Sequence, residues 1–264
     1  MFRVLICISS LLLSTAVFAT GPAVSELNGK LALTGGDANS DSAGVLSGSI
    51  SFPMSRNYGV QLDATGGQIG GSHLEGVGAH IFRRDPERYL LGAILSHAQW
   101  RSETMNRLGV EGEYYSGNWT FSGSFGGQSG GVGSGSFGSA NARYYFTPNT
   151  MLEAGLADSG SDGRFNLRLE STPFEGMRGL GLFADLATGN DGYDQILVGV
   201  RYYFGQKKAL IKRHREDDPR NNLLDGITGS FGEFGEASCQ ANQTWDGSDC
   251  VNNPTVTPPP PPPP

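Results

Sequence analysis

Chemistry in this chain would have to start from few groups. The 264 residues include only four histidines, His73, His80, His97 and His214. Two of them follow a serine, as Ser72–His73 and Ser96–His97. A serine nucleophile needs an imidazole within hydrogen-bond reach of its hydroxyl. Consecutive residues of a strand point to opposite faces, so Ser96 and His97 cannot form a local nucleophile–base pair. A lone histidine on such a strand reads as a hydrogen-bonding residue, and no catalytic residue is assigned. The glycine-rich run Gly126–Gly135 lacks the Lys-Ser or Lys-Thr and the following helix that a phosphate loop needs. The acids of Asp158–Asp162 and Asn190–Asp191 read as solvated turn residues. No metal site or cofactor is expected.

The remaining reactive groups are cysteines, and their meaning depends on compartment. Met1–Ala19 has a basic residue at Arg3, an apolar stretch Val4–Leu13 and small residues at Val17 and Ala19. This is the layout of a secretory signal cleaved after Ala19. Cys7 is preceded by Ile6 early in the apolar stretch, which does not suit a lipoprotein signal. The exported chain then holds two cysteines, Cys239 and Cys250, which read as a disulfide. No histidine lies near them, and a structural zinc site would need four ligands. The leader contains one of the 19 basic side chains and none of the 26 acidic ones, so the exported chain is more acidic than the net −7 of the whole. Nucleic acid is disfavoured as a partner, because phosphate binding needs a basic stripe.

The elements that must position these groups are strands. Apolar runs long enough for several transmembrane helices are absent. Forty glycines disfavour a helical bundle, since each interior glycine costs a helix about 1 kcal/mol. Between Leu27 and Phe204 the apolar pattern has period two. Leu46, Ile50 and Phe52 alternate with Ser47, Ser49 and Ser51, and Ile196, Val198, Val200, Tyr202 and Phe204 alternate with Gln195, Gly199 and Arg201. Twelve such segments are expected, with ten or fourteen left open. The fourth and fifth, Gly76–Phe82 and Tyr89–Ser96, are apolar on both faces, so their facing is ambiguous. The connections alternate between tight turns bearing Pro, Asn or Gly and stretches rich in Gly, Ser and Asp. That alternation indicates an up-and-down meander with two different ends. Phe52, Tyr58, Phe82, Tyr89, Tyr114, Trp119, Tyr144 and Phe146 cluster beside the tight turns, as an interfacial aromatic girdle would.

A sheet with an apolar outer face cannot cross hydrocarbon with open edges, so the expected fold is all-β: a closed antiparallel transmembrane barrel. An even strand count puts both barrel termini on the side of the tight turns, expected to be periplasmic. The charged residues expected to face the lumen are Lys30, Asp63, Arg107, Glu111, Glu113, Arg143, Glu153, Arg164, Arg168, Glu170, Asp185 and Arg201. Acids and bases are balanced in this set, which suits either ion-paired plugging or a weakly selective polar pore.

The meander, and its last strand Ile196–Phe204 (ILVGVRYYF), resemble the small porin-like outer-membrane barrel proteins of Gram-negative bacteria. The resemblance covers roughly residues 20–219. It implies outer-membrane lipid and the barrel-assembly machinery as partners, with Tyr202 and Phe204 as the assembly signal. Its function would be a passive pore for small polar solutes or a structural barrel, and not an enzyme. An alternative is an anchor that presents its tail to cell wall or a periplasmic protein; an outer-membrane hydrolase comes third. The domains expected are a signal peptide at 1–19, barrel at 20–205, periplasmic linker at 206–238, disulfide-stapled loop at 239–250 and Pro-rich tail at 251–264. Within the linker, Lys207, Lys208, Lys212, Arg213 and Arg215 form a short helix, a basic clamp on anionic lipid or a solvated stretch. Pro258–Pro264 reads as a polyproline rod, a spacer or a ligand for a partner.

Overall fold

A computed structural model describes residues 21–159, 162–177, 179–190, 193–217, 219–231, 243–245 and 250–252. The signal peptide, Cys239 and Pro258–Pro264 lie outside the described residues. Twelve strands run antiparallel in sequence order and close into a barrel. They are β1 Asn28–Ala38, β2 Asp41–Pro53, β3 Tyr58–Ile69, β4 Ser72–Asp85, β5 Tyr89–Trp100, β6 Glu103–Ser116, β7 Trp119–Gly130, β8 Gly135–Thr147, β9 Thr150–Ser159, β10 Asp162–Ser171, β11 Leu180–Gly189 and β12 Asp194–Tyr203. The barrel closes where β1 pairs with β12, from Lys30↔Tyr203 to Ala38↔Gln195. Each strand has at least the roughly 9–11 residues that a tilted strand needs to cross a bilayer.

Strand alternation sorts side chains by face. Leu31, Leu46, Leu62, Val77, Leu95, Leu108, Val110, Leu156, Leu169 and Val198 all point outward and are exposed. A contiguous apolar belt of this extent fits hydrocarbon and not water. Both ends of the strand meander, Asn28 and Tyr203, lie at one end of the barrel, here called the near end.

The far-end turns differ from expectation. Stretches such as Gly35–Ser42 and Gln99–Asn106 belong mostly to strands, which continue to two-residue turns at Asn39–Ser40, Gly70–Gly71 and Arg101–Ser102. All six of these turn residues have positive φ, the backbone that matches the strand twist in the tightest hairpins. Gly126–Gly135, read as a flexible loop, likewise holds the end of β7 and a four-residue turn.

The segment after β12 departs furthest from the sequence reading. Within residues 206–238, expected as a linker, it forms helix α1, Leu210–Glu216, where a short helix is one of the readings, and helix α2, Leu223–Phe231, which is not expected from the sequence. Helix α1 sits across the near mouth: the Ile211 N–H donates to the Pro148 carbonyl and Arg215 donates to the Trp119 carbonyl. Helix α2 lies inside the barrel. Its Ile227 is fully buried in a cluster with Val45, Ile69, Leu74, Ala98, Trp100 and Met105, all on the inner face. The physical reason is burial: Leu223, Leu224 and Ile227 have no apolar surface to cover outside the barrel and find one inside. Asn221 caps the helix, its Oδ1 accepting from the Leu223 N–H at 3.0 Å. A short hairpin pairs β13, Gln243–Trp245, with β14, Cys250–Asn252.

Candidate functional site: a lumen filled by the chain's own tail

Near-end strands supply an inner floor of tyrosines. The doublets Tyr114–Tyr115, Tyr144–Tyr145 and Tyr202–Tyr203 each send one ring outward and the next inward. Tyr115, Tyr145 and Tyr203 are buried, and α1 rests on them. Arg215 stacks over Tyr115 and Tyr145, and Arg213 over Tyr203. His214 enters between two phenols. Tyr145 Oη is 2.8 Å from its Nδ1, and Tyr203 Oη is 3.0 Å from its Nε2. The Tyr203 hydroxyl donates to Glu170 at 2.6 Å, so it accepts from His214. This assigns a neutral ring protonated on Nε2, with Nδ1 accepting from Tyr145. Burial, reinforced by Arg143, Lys30, Arg201 and Arg168, holds the His214 imidazole well below its ordinary range.

Two other basic residues of this segment, Lys208 and Arg215, also turn inward. Lys208 binds Asp217 at 2.7 Å and Glu216 at 3.0 Å. Arg215 uses the Trp119 carbonyl and Thr120. Lys208, Arg213 and Arg215 are thus occupied by the barrel floor and by α1 itself, while Lys207 and Lys212 are exposed. The N-terminal segment completes the seal. Val24 is buried with Phe82, Leu90 and Tyr115, and the Ser25 N–H donates to the Glu216 carbonyl.

Above this floor a chain of ion pairs runs along one side of the lumen, over the neighbouring strands β8 to β11. Arg143 pairs with Glu153 at 2.7 Å, and Glu153 also takes Arg220. Arg220 binds Asp225 at 2.7 Å, Asp225 lies 3.5 Å from Arg168, and Arg168 binds Asp185. The two central members, Arg220 and Asp225, come from the tail and the other four from the wall. Separate wall clusters flank this chain. Arg201 pairs with Glu170. His80 sits between Asp63 and Glu111, 2.9 Å from each. Glu113 accepts from Tyr115 at 2.7 Å, and Lys30 donates to the Pro219 carbonyl at 3.2 Å.

Toward the far end Arg107 reaches Gln128, Ser159 and Ser230 of α2, and Arg164 donates to the Asp225 carbonyl. Two helix glycines let α2 pass these guanidiniums. A Cβ at Gly226 would lie 2.9 Å from Arg107 Nη1, and one at Gly229 would collide with Arg164.

The structure thus places Lys30, Asp63, Arg107, Glu111, Glu113, Arg143, Glu153, Arg164, Arg168, Glu170, Asp185 and Arg201 on the inner face. Sequence reading missed His80, the inner tyrosines and the partners supplied by the tail. Of the girdle residues, Trp119, Tyr144 and Phe146 form a connected outer cluster with ring centroids 4.8 and 5.1 Å apart. Tyr58 and Tyr114 are exposed, whereas Phe52 and Tyr89 are half-buried. Phe82 is a correction: it points inward and is 1% exposed. It shares a strand face with His80 and Arg84, and the Arg84 guanidinium lies over its ring. Tyr202 and Phe204 face outward, edge to face at 5.0 Å. Cys250 begins β14, while its expected partner Cys239 lies outside the described residues.

For the enzymatic reading, Ser96 and His97 lie on opposite faces, and His97 bonds Asn106 at 2.8 Å. Among the described residues, no serine hydroxyl is hydrogen-bonded to a histidine ring, and no group of three metal-ligating side chains is present.

No protein-family model and no curated protein matches the chain. Solved structures do match. KdgM porin in complex with disordered oligogalacturonate aligns with a TM-score of 0.55 at 14% identity, covering 67% of this chain and 99% of that one. KdgM porin without that ligand in its description aligns at 0.54 and 14%, with the same coverage. Outer membrane phospholipase A from Escherichia coli aligns at 0.44 and 13%, covering 69% and 93%. With its closed twelve-strand meander and lipid-facing apolar belt, the chain has the fold of the porin-like outer-membrane β-barrels.

Proposed function

We propose that this protein is a non-enzymatic outer-membrane channel held closed by its own C-terminal segment, with the near end facing the periplasm. The observation that carries this reading is the ion-pair chain inside the lumen, in which Arg220 and Asp225 of the tail join the wall pairs of β8–β9 and β10–β11. A purely structural barrel could fill its interior with wall side chains alone, as smaller barrels do. Here the filling is a separate segment held by one apolar cluster around Ile227 and otherwise by polar contacts, which exchange with water at modest net cost. When α2 leaves, the lumen becomes a polar path for small solutes.

The wall arginines then set the preferred sign. Arg107 and Arg164 have no ion pair with a wall carboxylate among the described residues, so an emptied far half is positive. KdgM porin was solved with an oligogalacturonate, an acidic sugar chain. Small anionic solutes are the substrate class proposed here. Conductance in planar bilayers tests the reading. The full chain should be closed with rare openings, and Arg220→Glu, which sets a third carboxylate beside Glu153 and Asp225, should open steadily. A folded Arg220→Glu barrel that stays silent, together with a silent folded barrel stopped after Gly205, would overturn it.

A further inference from the structure

The contacts of the tail change in one direction along its sequence. Ile211 bonds Pro148 in a near-end turn. Pro219 accepts from Lys30 and Gln61, a few residues inside the near rim. Asn221 donates to Ser49 Oγ at 3.2 Å, and the Asp225 carboxylate meets Arg168, both partners still three or four residues inside the near rim, while the Asp225 carbonyl accepts from Arg164, near the far end of β10. Ile227 packs on Ala38, Ile69 and Trp100, the last residues of β1, β3 and β5 at the far end. Ser230 bonds Gln128 at 3.2 Å, two residues before β7 ends, and accepts from Arg107 at 2.6 Å. Nothing in this path turns back. Its length agrees with a crossing. Four extended residues and nine helical ones span about 27 Å at ~3.3 and ~1.5 Å per residue, against an apolar band of about 25 Å.

We propose that the segment after β12 is a thirteenth crossing, threaded through the barrel's own lumen, which delivers residues 232 onward to the face opposite the N-terminus. Twelve strands alone would leave the tail at the near end, beside Asn28. Threading makes the crossing number odd and presents the region of Cys239, β13 and β14 beyond the far mouth. With the near end in the periplasm, that region would be displayed at the cell surface, and its partner would be extracellular and not the cell wall. The inference concerns where the tail goes and holds whether α2 gates a channel or only fills a barrel.

The test uses three versions of the full chain, each with one epitope tag: at Gly133 in the far β7–β8 turn, at Gly176 in the near β10–β11 loop, or after Pro264. Antibody binding is read on intact and on permeabilised cells. The tag after Pro264 should behave as the Gly133 tag does and opposite to the Gly176 tag, whichever end proves to face outward. A Pro264 tag that follows Gly176 would overturn the proposal. Where the far end faces outward, protease added to intact cells should also trim the chain to a core ending after Phe231. A tail left intact by a protease that cuts the Gly133-tagged turn would equally overturn it.

Discussion

His214 is the residue on which the floor of the plug depends. It is neutral, donating from Nε2 and accepting at Nδ1, and four cations surround it. Its folded pKa is depressed while its unfolded pKa stays near 6.5, so the unfolded or undocked state binds the proton more readily. Stability from this residue is full above pH 6.5 and is lost as pH falls below it, by up to about 1.4 kcal/mol per unit. Hydrogen-exchange protection across 210–217, corrected for the intrinsic pH dependence of exchange, should therefore fall between pH 6.5 and about 5, and His214→Gln should remove that dependence. Unchanged pH sensitivity in His214→Gln would contradict the assignment. Arg220 offers a second residue-scale test. Its bond to Glu153 is a direct charged link from plug to wall, and such bonds contribute about 1.5–3 kcal/mol. Arg220→Ala should raise the open fraction in bilayer recordings by roughly ten- to a hundredfold, leaving heat-modifiable gel mobility of the barrel unchanged.

At the scale of elements, the strands were legible because hydrocarbon enforces period two on the outer face whatever the inner face holds. The plug was not legible by the same rule, since α2 has two internal glycines and only nine residues, and in water it would read as a loop. Two signals nonetheless pointed to it. The inner Phe82 and Leu90 of segments four and five pack on Val24 and Tyr115, and just beyond segment five Ala98 and Trp100 pack with Ile227. The tyrosine doublets carry one ring for the lipid interface and one for α1. A strand that is apolar on both sides in an otherwise amphipathic barrel marks where something apolar enters the lumen. Phe82 was assigned to the girdle for want of that inference. Ile227→Asp should expel α2, because a carboxylate in that dry cluster has no partner, and conductance should appear with the barrel intact. On the outer face, Val198→Arg should destabilise the barrel by about 2–4 kcal/mol if it lies near mid-bilayer. Ser96→Arg, on the inner face, should be far milder in the same refolding titration.

On the scale of the whole molecule, barrel closure and lumen filling are separable. The hydrogen-bond ladder closes through β1 and β12 with no residue beyond Tyr203. A stop after Gly205 removes α1, α2 and everything that follows while leaving every ladder bond in place. The stripped wall keeps near-end carboxylates paired, Glu153 with Arg143 and Glu170 with Arg201, and exposes Arg107 and Arg164 in the far half. Low dielectric walls focus the field of such charges along a narrow aqueous path. The truncated barrel should thus fold, migrate as a heat-modifiable band and conduct with anion preference. In a salt gradient its reversal potential should take the sign of anion permeation and shrink as ionic strength rises, because screening shortens to about 3 Å at 1 M. Replacing both Arg107 and Arg164 by Gln should remove the preference without abolishing conductance. Cation preference in the truncated barrel, or anion preference that survives the double substitution, would show that the selectivity lies with other wall residues.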